Sequence, residues 1–314
     1  MIALTEGSPL FDTKGRALIT HSRRARITRL WAGLAALTVA TATIGLSAPA
    51  AGASGSNTLT IKAGEYVYLL KGNPKAGWTQ INFQNAGVEN HMVAMVALKK
   101  GVTAAQLKAV AVAQDDAGFA KIAAPGADPN GVAGTPSVLG PGQKTTVITQ
   151  LAAGHYGIMC FVPAAADGKP HVAHGMVKVF DVAGKSTLKP PTDGVKVVTQ
   201  TDTGITVPPG NAPKNVTLKV TNSGTTPHSF QLAKLNQGKT MDDALTYFNA
   251  FFNTGKATGE APAVLVGGVE SVAPGGSVYL TWSLPAGNYG YVSTDGTAPN
   301  DDVSKGLKGT FTIR

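Results

Sequence analysis

One cysteine, five histidines beyond residue 50 and six methionines hold most of the soft, reactive side chains of this 314-residue sequence. Several crowd into one stretch, Tyr156-Gly-Ile-Met-Cys160-Phe-Val-Pro163, followed by Asp167-Gly-Lys-Pro-His171-Val-Ala-His174-Gly-Met176. Thiolate, imidazole and thioether are soft donors, so the chemistry they offer together is metal ligation. The competing reading is an inert buried thiol, a common state for a free cysteine. A lone Cys160 closes no intrachain disulfide and is too little for a Cys-rich zinc site. Hydrolytic chemistry has no footing, since the sequence contains neither a Gly-x-Ser-x-Gly elbow nor a His-Glu-x-x-His pair.

These residues need a scaffold, and the composition says which kind. Hydrophobic residues make up 43% and charged residues 14%, with 38 Gly and 19 Pro. That is too apolar for a disordered chain and too rich in turn formers for a helical bundle, which leaves an all-β protein with many tight turns. The chain also repeats itself. Asn85-Ala86-Gly87 and Asn222-Ser223-Gly224 stand 137 residues apart, and His91 and His228 keep that offset. Pro141-Gly142 matches Pro274-Gly275, and Gly154-His-Tyr-Gly157 matches Gly287-Asn-Tyr-Gly290, at an offset of 133. Order is kept and the offset drifts only as small loop deletions would shift it. The expected organisation is a tandem duplication, with units at 57–182 and 194–314 joined by a stiff linker at 183–193 that contains Pro190-Pro191.

Within each unit, short β runs lie between Gly, Pro and Asn turns: Thr58–Ile61, Trp78–Phe83, His91–Leu98, Lys144–Gln150, Tyr156–Phe161 and Met176–Val182 in the first. One helical insertion interrupts each, at Thr103–Ala113 and Thr240–Phe252. Thr240 followed by Asp243 suits a helix N-terminus. Leu245, Phe248 and Phe252 recur at spacings of three and four, so the second helix is expected to lie apolar side down on its sheet. Two antiparallel sandwiches in tandem are the architecture this pattern predicts.

The stretch from Cys160 to Met176 resembles the cupredoxins, the small blue-copper sandwiches. In that family a strand ends in Cys, a loop supplies a His, and a Met follows after four intervening residues. His171-x4-Met176 has that spacing, and Cys160-x2-Pro163 resembles the start of the loop. The remaining His comes early, after an Asn-Gly-containing strand, where Asn90-His91 stands. The resemblance covers the whole first unit. It implies two tandem Greek-key β-sandwich domains, with one type 1 copper held by His91, Cys160, His171 and Met176 for electron transfer or copper handling. A thiolate, two imidazoles and a distant thioether form a soft trigonal set with Met as weak axial ligand, tolerable to Cu(I) and Cu(II) alike. The sequence departs from the family in one respect: ten residues separate Cys160 from His171, longer than in the simplest cupredoxins, so Ala164–Lys169 must loop outward. His174 competes with His171, but its single-residue gap to Met176 fits the family spacing less well.

The other candidates are structural. His155 lies five positions before Cys160, so on a regular strand it faces the other side and is expected at the surface. Met92, Met95 and Met159 read as core. In the second unit Ser293 stands for Cys160, Leu307 for Met176 and Asp302 at or near the place of His171, so this unit is expected to hold no blue copper. His228 is expected to be a hydrogen-bonded structural residue. Multicopper enzymes need further centres rich in His-x-His pairs, and this sequence has none. A carrier or binding protein is therefore expected rather than an enzyme, with a redox partner that the sequence does not name. The alternative is a metal-free binding or cell-surface module on the same scaffold.

Residues 1–53 read as a signal peptide. Arg23, Arg24, Arg26 and Arg29 precede an uncharged stretch from Leu30 to Leu46, and small residues follow from Ser47 to Ala53. The protein is accordingly expected in the periplasm, envelope or medium, with no stable membrane insertion after cleavage. Residues 1–50 carry six of the 27 basic and two of the 18 acidic residues, which leaves 21 against 16, a balance of +5. So small an excess is a poor fit to a nucleic-acid partner.

Overall fold

The computed structural model describes residues 56–128, 131–296 and 299–314. The signal peptide expected at 1–53 lies outside the described residues. The first half contains β1 (Thr58–Gly64), β2 (Val67–Lys71), β3 (Gly77–Asn85), β4 (Ala94–Leu98), α1 (Ala104–Ala113), α2 (Asp116–Ile122), β5 (Lys144–Leu151), β6 (Gly154–Met159) and β7 (Val177–Val182). The second contains β8 (Lys196–Thr201), β9 (Gly204–Thr206), β10 (Asn215–Asn222), β11 (His228–Leu235), α3 (Met241–Thr254), β12 (Ala263–Val272), β13 (Ser277–Ser283), β14 (Gly287–Val292) and β15 (Lys308–Ile313).

Alternation builds the strands. Along β3 the side chains of Thr79, Ile81, Phe83 and Asn85 turn inward while their neighbours are only partly covered, the period of a half-buried strand. The result is all-β: two sandwiches in tandem, each interrupted by a helical insertion. One face of each belongs to a single eight-stranded sheet, ordered β2-β1-β3-β5-β13-β10-β8-β9. The opposing faces are separate sheets, β4-β6-β7 in the first half and β12-β11-β14-β15 in the second. The pairing is not purely antiparallel as expected. β1 runs parallel to β3 and β8 parallel to β10, because each pair is joined by a crossover through an intervening hairpin rather than a tight turn.

The two halves are continuous where β5 meets β13, with Thr146, Val147 and Ile148 opposite Thr281, Leu280 and Tyr279. Cores follow the same route. Leu59, Ile81, Phe83, Met95, Ile158 and Cys160 share one buried cluster with Leu235, Ala263 and Leu265 of the second half, and Val147 sits in the second half's own cluster. The chain from 183 to 193 is pinned rather than free: Ala183 and Ser186 donate to Pro74 and Ala76, and Leu188 is buried.

Both expected helices form with capping boxes, Thr103 with Gln106 and Thr240 with Asp243. The first insertion also contains α2, capped by Asp115, which the sequence pattern did not suggest. Helix α3 lies against β11 of its own sheet, as expected. Leu245, Phe248, Phe251 and Phe252 pack against a buried cluster that both halves build, and at the helix end Gly255 lies beside Gly168 and Pro163 of the first half.

Leu280 is fully buried at the junction, so Leu280→Ala is expected to cost about 2–5 kcal/mol. Because the sheet is shared, the loss should appear in the first half too. A urea titration that follows exposure of the Cys160 thiol should show an earlier midpoint in the variant; an unchanged midpoint for that thiol would mean the halves unfold separately.

Candidate metal centre

Backbone pairing brings the soft donors together before any side chain is considered. His91 lies between β3 and β4, held by two reciprocal bonds with Leu139: its N–H donates to the Leu139 carbonyl at 2.9 Å, and its carbonyl accepts from the Leu139 N–H at 2.8 Å. Cys160 directly follows β6. The chain leaves through a loop and returns in a short 3-10 turn, His171–His174. Val172 donates to the Cys160 carbonyl at 2.8 Å, His171 to that of Val162 at 2.9 Å, and Cys160 to that of Met176 at 3.2 Å. The inserted residues close on themselves: Ala164 donates to Lys169 and Gly168 to Ala164, both at 2.8 Å. The extra length is thus taken up in a side loop, and His171 stays beside the thiol.

The side-chain geometry follows. The two Nδ1 atoms of His91 and His171 lie 3.0 Å apart, and His171 Nδ1 lies 3.4 Å from Cys160 Sγ. All three residues are completely buried, and their donor atoms fall within 4.8 Å of one another. Met92 N–H points at the sulfur from 3.5 Å. Met176 is buried in the same apolar cluster as Cys160. His174 turns away, its Nε2 3.1 Å from Asp167 and its ring stacked on Tyr66 at 4.6 Å. His155 faces away from Cys160 as expected but is not a free surface residue, since its nitrogens bond Asp181 at 2.7 Å and the Val102 carbonyl at 2.8 Å.

Three residues around the site escaped the sequence reading. Glu89 takes the outer nitrogen of His171, Nε2 to Oε2 at 2.8 Å. Glu65 stands 3.7 Å from His91 Nε2, an atom with no hydrogen-bond partner among the described residues. Tyr66 donates to Glu89 at 3.3 Å and meets the His171 ring edge-on at 5.0 Å. Glu65 and Tyr66 form the tip of the β1–β2 hairpin, where Tyr66 has a φ of 61°, a strained value for an aromatic residue. Both imidazoles therefore turn Nδ1 inward and Nε2 toward a carboxylate, the orientation in which outer-shell partners hold metal-binding histidines. The signal was available at the 137-residue offset, which matches Glu65 with Asp202.

The electrostatics suit a metal. Burial pushes the Cys160 thiol up to about 12. Burial, with His171 alongside, holds His91 down to about 4. Burial lowers His171 also, against the pull of Glu89. The imidazoles thus present free lone pairs, and a soft cation displaces the thiol proton on binding. A thiolate and two imidazoles converging on one point fit copper.

The second half repeats the frame with other atoms. Ser229 N–H points at Ser293 Oγ from 2.9 Å, as Met92 points at Cys160. Ser293 donates to Asp302 at 2.5 Å, and His228 lies 2.6 Å from Asp302 through Nδ1 and 3.1 Å from Asp202 through Nε2. The carboxylates sit on opposite sides of the ring, so they share no position for a metal. Burial alone would lower His228, but Asp302 and Asp202 outweigh it and raise its pKa. Nearby, burial and then Asp295 push Glu270 up to about 7, and burial raises Asp295. Both line a cavity of about 60 Å³ between the halves.

No family model and no curated protein matches this chain. Among solved structures it is similar to a reduced auracyanin from the photosynthetic bacterium Roseiflexus castenholzii, at 18% identity over 39% of this chain and 98% of that one, with a TM-score of 0.29. It is similar to an azurin from the methylotroph Methylomonas sp. strain J at 15% identity over 39% and 99%, TM-score 0.27. A multicopper oxidase aligns across both halves, at 13% identity over 82% of this chain and 88% of that one, TM-score 0.23. At such scores these likenesses add no weight to the geometry. The β-sandwich with a buried His-Cys-His cluster nevertheless agrees with the cupredoxin resemblance of the sequence.

Glu89→Gln keeps the shape but weakens the hold on His171, and is expected to lower metal affinity about 10–100-fold by competition titration. A second expectation concerns pH. Glu270 and Asp295, raised in the folded chain, and His228, also raised, all contribute stability that is present at low pH and lost as pH rises through their folded values. His91 and His171, lowered in the folded chain, act in the opposite sense and cost stability as pH falls below about 6.5. The fall in the midpoint of thermal unfolding should therefore be read between about pH 6.5 and 8. For Glu270 the shift from 4.5 to about 7 corresponds to on the order of 3 kcal/mol, so Glu270→Gln should flatten most of the slope.

Proposed function

We propose that the first half binds one type 1 copper through His91, Cys160, His171 and Met176, and that the protein serves as an electron carrier or copper handler outside the cytoplasm. One observation carries this reading: the buried convergence of the Cys160 thiol on two imidazoles whose outer nitrogens face carboxylates. Bound copper would supply reversible one-electron chemistry. The chain's own residues do the rest. Cys160 and the histidines bind, Glu89 and Glu65 orient the rings, and the surrounding apolar cluster excludes water.

A carrier is proposed over an enzyme from the sequence, which holds none of the His-x-His pairs that further copper centres use. The proposed partner is a redox protein. Among the described residues no helix is long and apolar enough to cross a membrane. Export is proposed from the Arg23–Arg29 cluster and the apolar stretch behind it.

Copper titration of the purified chain with metal analysis and a visible spectrum tests the reading. One equivalent of Cu(II) should give an intense sulfur-to-copper charge-transfer band, and Cys160→Ser should abolish it. Met176→Leu should keep the metal and shift the potential, because a weak axial ligand tunes copper without holding it. His174→Ala should leave the spectrum unchanged. A colourless copper-loaded protein would leave the metal-free binding module as the reading.

A further inference from the structure

The metal loop is not held by the first half alone. Helix α3 ends at Gly255, in the left-handed conformation with φ of 71°, and there it meets the loop between Cys160 and His171. A Cβ on Gly255 would stand 2.9 Å from Gly168 Cα and 3.5 Å from Pro163 Cβ, so helix end and loop are in backbone contact. Behind this point Phe248, Phe251 and Phe252 pack against the buried cluster that both halves build, in which Met241 and Ala244 of α3 stand with Cys160, Val162 and Met176.

The loop can transmit that contact. Besides its internal bonds, Pro163 bridges to Pro170 at its base, and the next residue is His171. Ala165 N–H and His171 Nε2 share a single oxygen, Glu89 Oε2, at 3.2 and 2.8 Å. A displacement at Gly168 moves a closed loop, and that loop is tied both to the backbone of His171 and to the carboxylate that orients its ring. We propose that α3 of the second half clamps the metal loop and thereby sets His171 against Cys160, which makes the half without soft ligands a tuning element of the half that has them. The proposal rests on the copper reading of the site.

Gly255→Ala in the full-length protein is the test, because its methyl group meets the Gly168 backbone. The left-handed position adds strain of its own, and Gly238→Ala controls for it: Gly238 has φ of 72° with nothing within 4 Å of an added Cβ. In the copper-loaded protein Gly255→Ala is expected to shift the charge-transfer band and the reduction potential. In the copper-free protein it should speed the reaction of Cys160 with an aromatic disulfide reagent severalfold. Gly238→Ala should change none of the three. Phe252→Leu, which trims the apolar face without touching the helix end, should shift the same readouts by less, and it decides the matter if Gly255→Ala does not fold. Gly255→Ala and Phe252→Leu both matching Gly238→Ala would overturn the clamp. A colourless wild-type protein would instead overturn the copper reading, and the thiol rate of the metal-free chain would still judge the clamp.

Discussion

A thiol and an imidazole eleven positions apart in sequence must end 3.4 Å apart in a dry interior, and most of the first half can be understood as meeting that constraint. Side chains alone would not do it, because an unpaired imidazole nitrogen and a buried thiol both lose hydration when enclosed. The backbone does the positioning: Val172 returns to the Cys160 carbonyl and His171 to that of Val162. His91 arrives from a different part of the chain and is registered by its two bonds to Leu139. The polar atoms are then satisfied from outside by Glu89 and more loosely by Glu65. Among the described residues His91 Nε2 has no hydrogen-bond partner, and that leaves the ring dependent on Glu65 and on whatever its Nδ1 binds.

The internal copy shows the same constraint met without sulfur. Asn85 and Asn222 each tie their turn with three bonds, from one side-chain nitrogen to two carbonyls and from a glycine N–H to the side-chain oxygen. Beyond that shared turn the chemistry diverges. Where the first half converges neutral donors on an open point, the second closes the point with short bonds from His228 and Ser293 to Asp302. With the imidazole and the hydroxyl both bonded to Asp302, no open position is left. His228 and Ser293, meeting at Asp302, join the strand ends that a metal would join in the first half.

Much of this was legible in the sequence, for physical reasons that differ by element. Cys160, His171 and His91 could be picked out because soft donors are rare in this chain and the duplication aligned them with Ser293, Asp302 and His228. Strands β3, β5 and β6 were legible from their alternation or apolar runs. β2 was missed because Val67 and Leu69 expose apolar side chains where a half-buried strand would be polar, so Val67–Lys71 lacks the periodic signal. With it went Glu65 and Tyr66, whose importance arises only because the β1–β2 hairpin folds its tip over the imidazoles. Glu89 was equally silent: a single carboxylate in a turn carries no pattern until the loop from Ala164 to Lys169 closes beside it. The continuity of β5 with β13 was hidden for a related reason. A strand that ends a sheet and a strand that joins two sheets have the same period of two, and only the fully buried Val147 and Leu280 distinguish them.

The shared sheet and the reach of α3 also change what the duplication means. Two copies joined by a flexible tether would each need a complete core, and substitutions in one would be neutral to the other. Here Leu235, Ala263 and Leu265 complete the first half's cluster, while Val147 completes the second's. The second copy does without soft donors because its own strand ends are held by His228, Asp302 and Ser293. Its fold is needed all the same, because the end of its helix lies beside the loop at Gly168 and its strand β13 pairs with β5. What keeps the second half in the molecule is packing, and the packing leads back to the loop that carries His171.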